Sequence, residues 1–227
     1  MKKHIPNALT CANLLSGCIG IVHLFNGELK IAAYFVLLSG LFDFFDGMVA
    51  RALNVKGELG KQLDSLADMV SFGFLPGVLL FKLFQQSDAA IPYLSYLAFM
   101  IPIFSALRLA KFNIDERQSV DFIGLNTPMN TLFVVSLPYV ADVFPNLINN
   151  WLVLSLITIT TSLLLVSEIR IFSLKFSGFS WQKDKFKYIF LLLAVALFAW
   201  LQFASFPLIL IAYILLSVVH FRIKDKA

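Results

Sequence analysis

Eight apolar runs, each near the length of a bilayer-crossing helix, constrain this chain more than any other feature. They cover about residues 9–26, 31–53, 60–84, 91–112, 128–145, 149–173, 187–204 and 206–222. An α-helix rises 1.5 Å per residue, so ~20 apolar residues cross a hydrocarbon core ~30 Å thick. The 227 residues are 59% hydrophobic and only 14% charged, against ~45–50% apolar usage in soluble domains. The expected fold is all-α: a polytopic transmembrane bundle of about eight spans, with a six-helix core and two C-terminal helices. Residues 1–175 make the main transmembrane domain. Residues 176–227 add a cytoplasmic loop and the last two spans of the same bundle.

The basic residues orient such a bundle. If the N-terminus is inside, Lys2, Lys3, Arg51, Lys56, Lys61, Arg108, Lys111, Arg117, Arg170, Lys175, Lys183, Lys185, Lys187, Arg222, Lys224 and Lys226 fall on the inner side, and only Lys30 and Lys82 fall outside. This positive-inside bias makes both termini cytoplasmic. The net charge of +4 is thus a topology signal, and basic residues confined to span ends argue against a nucleic-acid partner. The start MKKH before an apolar run resembles a signal peptide but lacks a small-residue cleavage site, so a retained helix is expected. Cys11 and Cys18 have no metal-like spacing and read as small packing residues. His4, His23 and His220 read as anchors or packing residues. Trp151, Trp181 and Trp200 suit an interfacial aromatic belt. Residues 176–187, FSGFSWQKDKFK, read as a loop or a short surface helix that touches anionic lipid.

Against this apolar background stands DFFDGMVARALNVKGELGKQLDSLAD, residues 43–68, with four aspartates. Acids inside membrane spans are costly and usually functional. Asp43 and Asp46 are three apart, and Asp64 and Asp68 four apart, so each pair shares a helix face. A short turn around Asn54–Gly57 makes the two helices neighbours, and both pairs fall near their cytoplasmic ends. Converging carboxylates need a cation between them, and hard oxygen ligands suit Mg²⁺ or Mn²⁺. Four carboxylates could hold two ions, an arrangement that clamps phosphoryl oxygens. Gly47 leaves its backbone open to a ligand, Ala50 is small, and Arg51 could pair with a phosphate. Gly57 and Gly60 let the next helix start close to that ligand.

The pattern D43-x2-D46-G47-x2-A50-R51-x8-G60-x3-D64-x3-D68 resembles the full signature of the CDP-alcohol phosphotransferases. The resemblance implies transfer of a phosphatidyl or related group from a CDP-linked donor to an alcohol, with release of CMP. It implies Asp43, Asp46 and Asp64 as metal ligands, and Asp68 as both ligand and general base. Gly47 and Arg51 would contact the CDP-lipid. Gly57 would lie near its diphosphate through its backbone, since many relatives carry a hydroxyl residue there. Relatives also suggest a homodimer.

Flanking stretches bear on the acceptor. DSLADMVSFGFLPG after Asp64 is similar to the phosphatidylserine synthase branch, as are IPNALTCANLLSG at 5–17, RLAKFN at 108–113, FIGLNTP at 122–128 and SEIRIFSLK at 167–175. That branch usually has proline where this chain has Asn126. The expected reaction joins CDP-diacylglycerol to L-serine in a membrane-lipid setting. Asn7 and Thr10 could bond the cytosine or ribose, or could cap the first helix. Arg108 and Lys111 could hold the serine carboxylate, or could snorkel to the interface, and Arg170 and Lys175 share that ambiguity. Pro128 is expected to open the fifth span. Two alternatives stay open: the same chemistry on glycerol 3-phosphate or inositol, and a divalent-cation transporter built on the acidic cluster.

Overall fold

The structure, a computed structural model, describes residues 4–55, 57–115, 117, 121–174 and 181–224. Lys2, Lys3, Lys56, Lys175 and Lys226 of the expected inner set lie outside the described residues, as do the side chains of Lys183 and Trp181. Helix α1 spans His4–Phe25 and α2 Ile31–Ala52. Helix α3, Glu58–Asp68, runs through a π-helical turn at Met69–Phe74 into α4, Leu75–Gln86. A 3₁₀ turn at Leu94–Phe99 leads into α5, Met100–Ile114. Strand β1 (Phe122–Ile123), α6 (Thr127–Val143), the short α7 (Pro145–Ile148), α8 (Trp151–Val166) and β2 (Arg170–Ile171) follow. Helices α9 (Trp181–Leu201) and α10 (Phe206–Lys224) close the chain. By length and composition, five stretches can cross a membrane: 4–25, 31–52, 58–86, 94–114 and 184–224, the last holding both α9 and α10.

Leu156, Leu192, Val195 and Trp200 are among many large apolar residues left exposed, a surface that suits lipid and not water. In lipid, helices gain little from the hydrophobic effect and associate through close packing and small residues. The α1–π-turn crossing shows this. A Cβ on Gly17 would stand 2.9 Å from the Ser71 Cα. Ser71 donates to the Asn13 carbonyl at 3.0 Å, and Ser39 of α2 donates to the same carbonyl at 3.2 Å. Thr131 of α6 donates to the Phe72 carbonyl at 2.6 Å. Wide π-turns recur at functional positions, and this one starts directly after Asp68.

The contacts define two ends. At one, Lys30 pairs with Asp142 at 2.6 Å, and Asp88 accepts from the Trp151 backbone at 3.0 Å. At the other stand the start of α1, the end of α2, the start of α3 and the end of α5. Arg51, Lys61, Arg108, Lys111 and Arg117 lie there. Helices α9 and α10 form an antiparallel hairpin, with Phe198 against Phe206, Phe190 against Tyr213 and Phe186 against His220.

Several boundaries correct the sequence reading. The sixth run, expected to reach residue 173, ends as a helix at Val166. Its remaining apolar residues form β2, paired antiparallel with β1 in the register Phe122↔Ile171 and Ile123↔Arg170. Side chains there are apolar because they pack between helices, not because they face lipid. Helix α9 already starts at Trp181, so residues 181–187 take the helical of the two expected alternatives, as the start of a long helix and not a short one, while 176–180 lie outside the described residues. Cys11 and Cys18 are exposed on α1 and do not pack in the bundle. Pro128 does lie in the first turn of α6. Asn126, in place of the usual proline, caps that helix by accepting from the Met129 N–H at 2.8 Å.

Candidate active site

One carboxylate oxygen each from Asp43, Asp64 and Asp68 lies within 4.8 Å of the other two. The i,i+4 spacing of Asp64 and Asp68 stacks both on one face of α3, and α2 brings Asp43 opposite. Like charges this close need a cation or a shared proton between them. Asp64 Oδ1 is buried and has no hydrogen-bond partner among the described residues. Orphaned, converging carboxylate oxygens are a donor set that fits a hard divalent cation. Asp46 stands apart from this triad. It is buried, and its Oδ2 accepts from Thr10 Oγ1 at 2.5 Å.

Helix α1 thus holds two of the four acids. Thr10 also reaches the Pro6 carbonyl at 3.1 Å, and its single proton serves one acceptor at a time. Three residues on, Asn13 Nδ2 donates to Asp68 Oδ1 at 3.1 Å. Asn13 is fully buried, so its amide has no solvent competitor. Sequence reasoning missed Asn13. The signal available was a carboxamide in the middle of an apolar run, where an unpaired polar group is expensive. Replacing it (Asn13→Leu) is expected to cost roughly 10–100-fold in divalent-ion affinity or turnover, the usual scale for a residue that orients a ligand. The dependence of rate on Mn²⁺ concentration measures it.

A cavity of about 620 Å³ opens beside the triad. Asn7 and Thr10 line it from α1, and Asp46, Gly47 and Ala50 from α2. Gly57, Gly60, Lys61 and Asp64 line it from the turn and α3. Arg51 folds back one helical turn, bringing its Nη1 to 3.4 Å from where a Cβ on Gly47 would be. A Cβ on Gly60 would meet Asn7 Oδ1 at 3.4 Å, so glycine there lets α3 start against α1. Gly57 is the extended N-cap of α3 and makes no side-chain cap. The first N–H groups of that helix thus have no side-chain acceptor at the cap, and the positive end of its dipole lies at the cavity lined by Gly57, Glu58 and Gly60.

Arg108 and Lys111 do not line this cavity. They line a second one, of about 310 Å³, with Asp115, Arg117, Ile123, Leu165, Ser167 and Glu168. Arg108 is buried and its Nε has no partner among the described residues. It lies over the Phe112 ring at 5.1 Å and does not extend to the rim, against the snorkelling alternative. Lys111 is exposed. Arg117 pairs with Asp115 at 2.8 Å and approaches Glu168 at 3.8 Å. The Asp115 carboxylate raises the Arg117 pKa, so that guanidinium keeps its charge. Polar links tie α3, which helps to wall the larger cavity, to the end of α5, which helps to wall the smaller one. Lys61 Nζ donates to the Asn113 carbonyl at 2.7 Å, and Asn113 Nδ2 to Ser65 Oγ at 2.7 Å. Asp115 and Glu168 were not anticipated from sequence, since an acid in a loop carries no spacing signal.

Comparison with known proteins agrees on one family. Residues 3–166 match the family model described as CDP-alcohol phosphatidyltransferase. The chain is 33% identical over 169 residues to a CDP-diacylglycerol–serine O-phosphatidyltransferase of Bacillus subtilis, covering 74% of this chain and 89% of that protein. It is 34% identical over 166 residues to the protein of the same name in Methanocaldococcus jannaschii, covering 73% and 72%. It is 32% identical over 136 residues to an archaetidylserine synthase of Methanothermobacter thermautotrophicus, covering 58% and 56%.

Proposed function

The chain belongs to the CDP-alcohol phosphatidyltransferase family, and from this premise we propose that it transfers the phosphatidyl group of CDP-diacylglycerol to L-serine. The products are phosphatidylserine and CMP, and the setting is phospholipid synthesis in a membrane. The observation that carries the reading is the convergence of Asp43, Asp64 and Asp68 next to a cavity lined by Asp46, Gly47, Ala50 and Gly60 of the signature.

In this reading the acyl chains stay in the bilayer while the CDP head enters the larger cavity. Asn7 and Thr10 meet its nucleoside part, though Thr10 must share its hydroxyl with Asp46. Gly47, Ala50, Gly57 and Gly60 leave room for the diphosphate, and Arg51 and the start of α3 offset its charge. Asp43, Asp46, Asp64 and Asp68 hold two divalent cations, Mg²⁺ or Mn²⁺. When bound, these stabilise charge on the phosphoryl oxygens. Asp68, held by Asn13, accepts the proton from the serine hydroxyl. The serine oxygen forms its bond to the lipid-bearing phosphorus as the bond to CMP breaks. Arg108 and Lys111 bind the serine carboxylate.

The same reading makes the bundle an eight-span protein of the cell membrane, with the site and both termini at the cytoplasmic face and residues 176–227 completing the bundle. Its support is the charge asymmetry: the described basic residues near the site outnumber those at the other end, where Lys30 and Lys82 stand. A homodimer follows from the resemblance alone. The decisive assay is CMP release by purified protein given CDP-diacylglycerol and Mn²⁺ or Mg²⁺. Serine, glycerol 3-phosphate and inositol are offered separately. Release that needs serine supports the proposal; release with another alcohol, and none with serine, refutes the acceptor assignment.

A further inference from the structure

Strands β1 and β2 hold only two residues each, and a two-stranded ribbon is marginal by itself. Helix α10 supplies what it lacks. Tyr213 Oη donates to the Phe172 carbonyl at 2.7 Å, and the Phe172 N–H donates to Ser217 Oγ at 3.4 Å. Both backbone groups of the residue that follows β2 are thus taken by side chains one turn apart on α10. Tyr213 and Ser217 are buried, and the Phe172 ring meets the Tyr213 ring edge-on at 5.2 Å. Nearby, the Arg170 guanidinium lies 4.3 Å from the Phe221 ring centroid.

The ribbon in turn builds the second cavity. Ile123 of β1 lines it and pairs with Arg170. Gly124, at φ +76°, donates its N–H to the Ile169 carbonyl at 2.8 Å. Ser167 and Glu168, just before β2, line the same cavity. The family match ends at residue 166, so β2 and α10 lie beyond it.

We propose that α10 is a positioning element for the acceptor site, with Tyr213 and Ser217 as positioning residues that fix the wall facing Arg108 and Lys111. This rests on the reading that the second cavity takes the amino-acid acceptor. Helix α10 touches neither the acidic triad nor the larger cavity among the described residues. Loosening it should therefore weaken acceptor binding and spare the donor.

The test uses Tyr213→Phe, Ser217→Ala and the double variant of the full chain, with Arg108→Gln alongside. CMP release is measured against serine at saturating CDP-diacylglycerol, and against the donor at saturating serine. The expected result is a serine KM raised roughly three- to tenfold by each single change, the scale of one net hydrogen bond. Donor KM should hold, and the melting temperature should fall only by the few degrees that a lost hydrogen bond costs. Arg108→Gln should raise serine KM by more. If Arg108→Gln raises serine KM and the α10 variants do not, the positioning role is refuted while the acceptor site stands. If the α10 variants lower the melting temperature and shift both KM values together, α10 is only structural and the proposal falls. If Arg108→Gln leaves serine KM unchanged, the acceptor reading itself fails and takes this inference with it.

Discussion

Asp68→Asn is expected to keep the fold and lose turnover by roughly 10²–10⁴-fold, the range of a general base. The substitution is nearly isosteric, and the Asn13 amide at 3.1 Å can still meet the side-chain oxygen of an asparagine. What disappears is a proton acceptor and one of three carboxylates whose oxygens lie within 4.8 Å of one another. With no cation bound, such carboxylates must repel or share a proton, and asparagine removes that demand, so the variant should melt no lower than the parent when chelator is present. Added Mn²⁺ should stabilise the variant less than the parent, because stabilisation by a ligand scales with its affinity for the folded state. Rate and melting temperature, each with and without Mn²⁺, check both statements. Activity within tenfold of the parent would move the base to another residue.

Gly17→Ala should be a strongly disruptive single-methyl change at the crossing of α1 and the π-turn. The new Cβ would stand 2.3 Å from Ser71 Oγ and 2.9 Å from Ser71 Cα. A hydroxyl can turn away but a backbone atom cannot, so α1 and the π-turn must part. Overpacking of this kind costs about 1–3 kcal/mol. The separation acts on chemistry as well, because Asn13 lies one helical turn before Gly17 and holds Asp68. A misplacement near 1 Å can cost roughly 10²-fold in rate. Ser71→Gly in the same chain should restore part of both losses, since the contacts with the Ser71 side chain go while the one with its Cα stays. Melting temperature and CMP release in the single and double variants give the coupling. An unaffected Gly17→Ala would mean that the helices part at no cost.

The acidic motif was legible because membrane chemistry makes it so. An aspartate in an apolar run has few harmless explanations, and spacings of three and four place side chains on one face whatever the surroundings. Pro128 was legible for a similar reason, since the position of proline in a helix is dictated by its own ring. The partners of the acids were not. Asn13 and Thr10 act across 55 and 36 residues of chain, and no local pattern announces such a pairing. The grouping of three acids with the fourth held apart depends on helix rotation, which spacing leaves free. The ribbon was hidden because Ile169, Ile171 and Phe172 continue an apolar run. Hydropathy reports that they avoid water, not what they pack against. The π-turn was hidden because one extra residue per turn leaves no mark on composition.

Asp43, Asp64 and Asp68, and the Asn13 amide that bonds Asp68, come from the first three helices, and Ser71 of the turn after them holds the Asn13 carbonyl. A chain emerges from the ribosome in order, and its early parts begin to associate first. The acidic triad and the larger cavity, the latter lined by residues 6–64, are therefore fully encoded before the ribosome reaches α5. The second cavity needs α5, the ribbon and the end of α8, and Tyr213 and Ser217 are added last. Under the proposed function, birth order thus runs from the nucleotide-lipid cavity, complete at Asp64, through the acidic triad, complete at Asp68, to the acceptor wall. On that reading a nascent chain has its donor site before it has any wall to admit the second substrate.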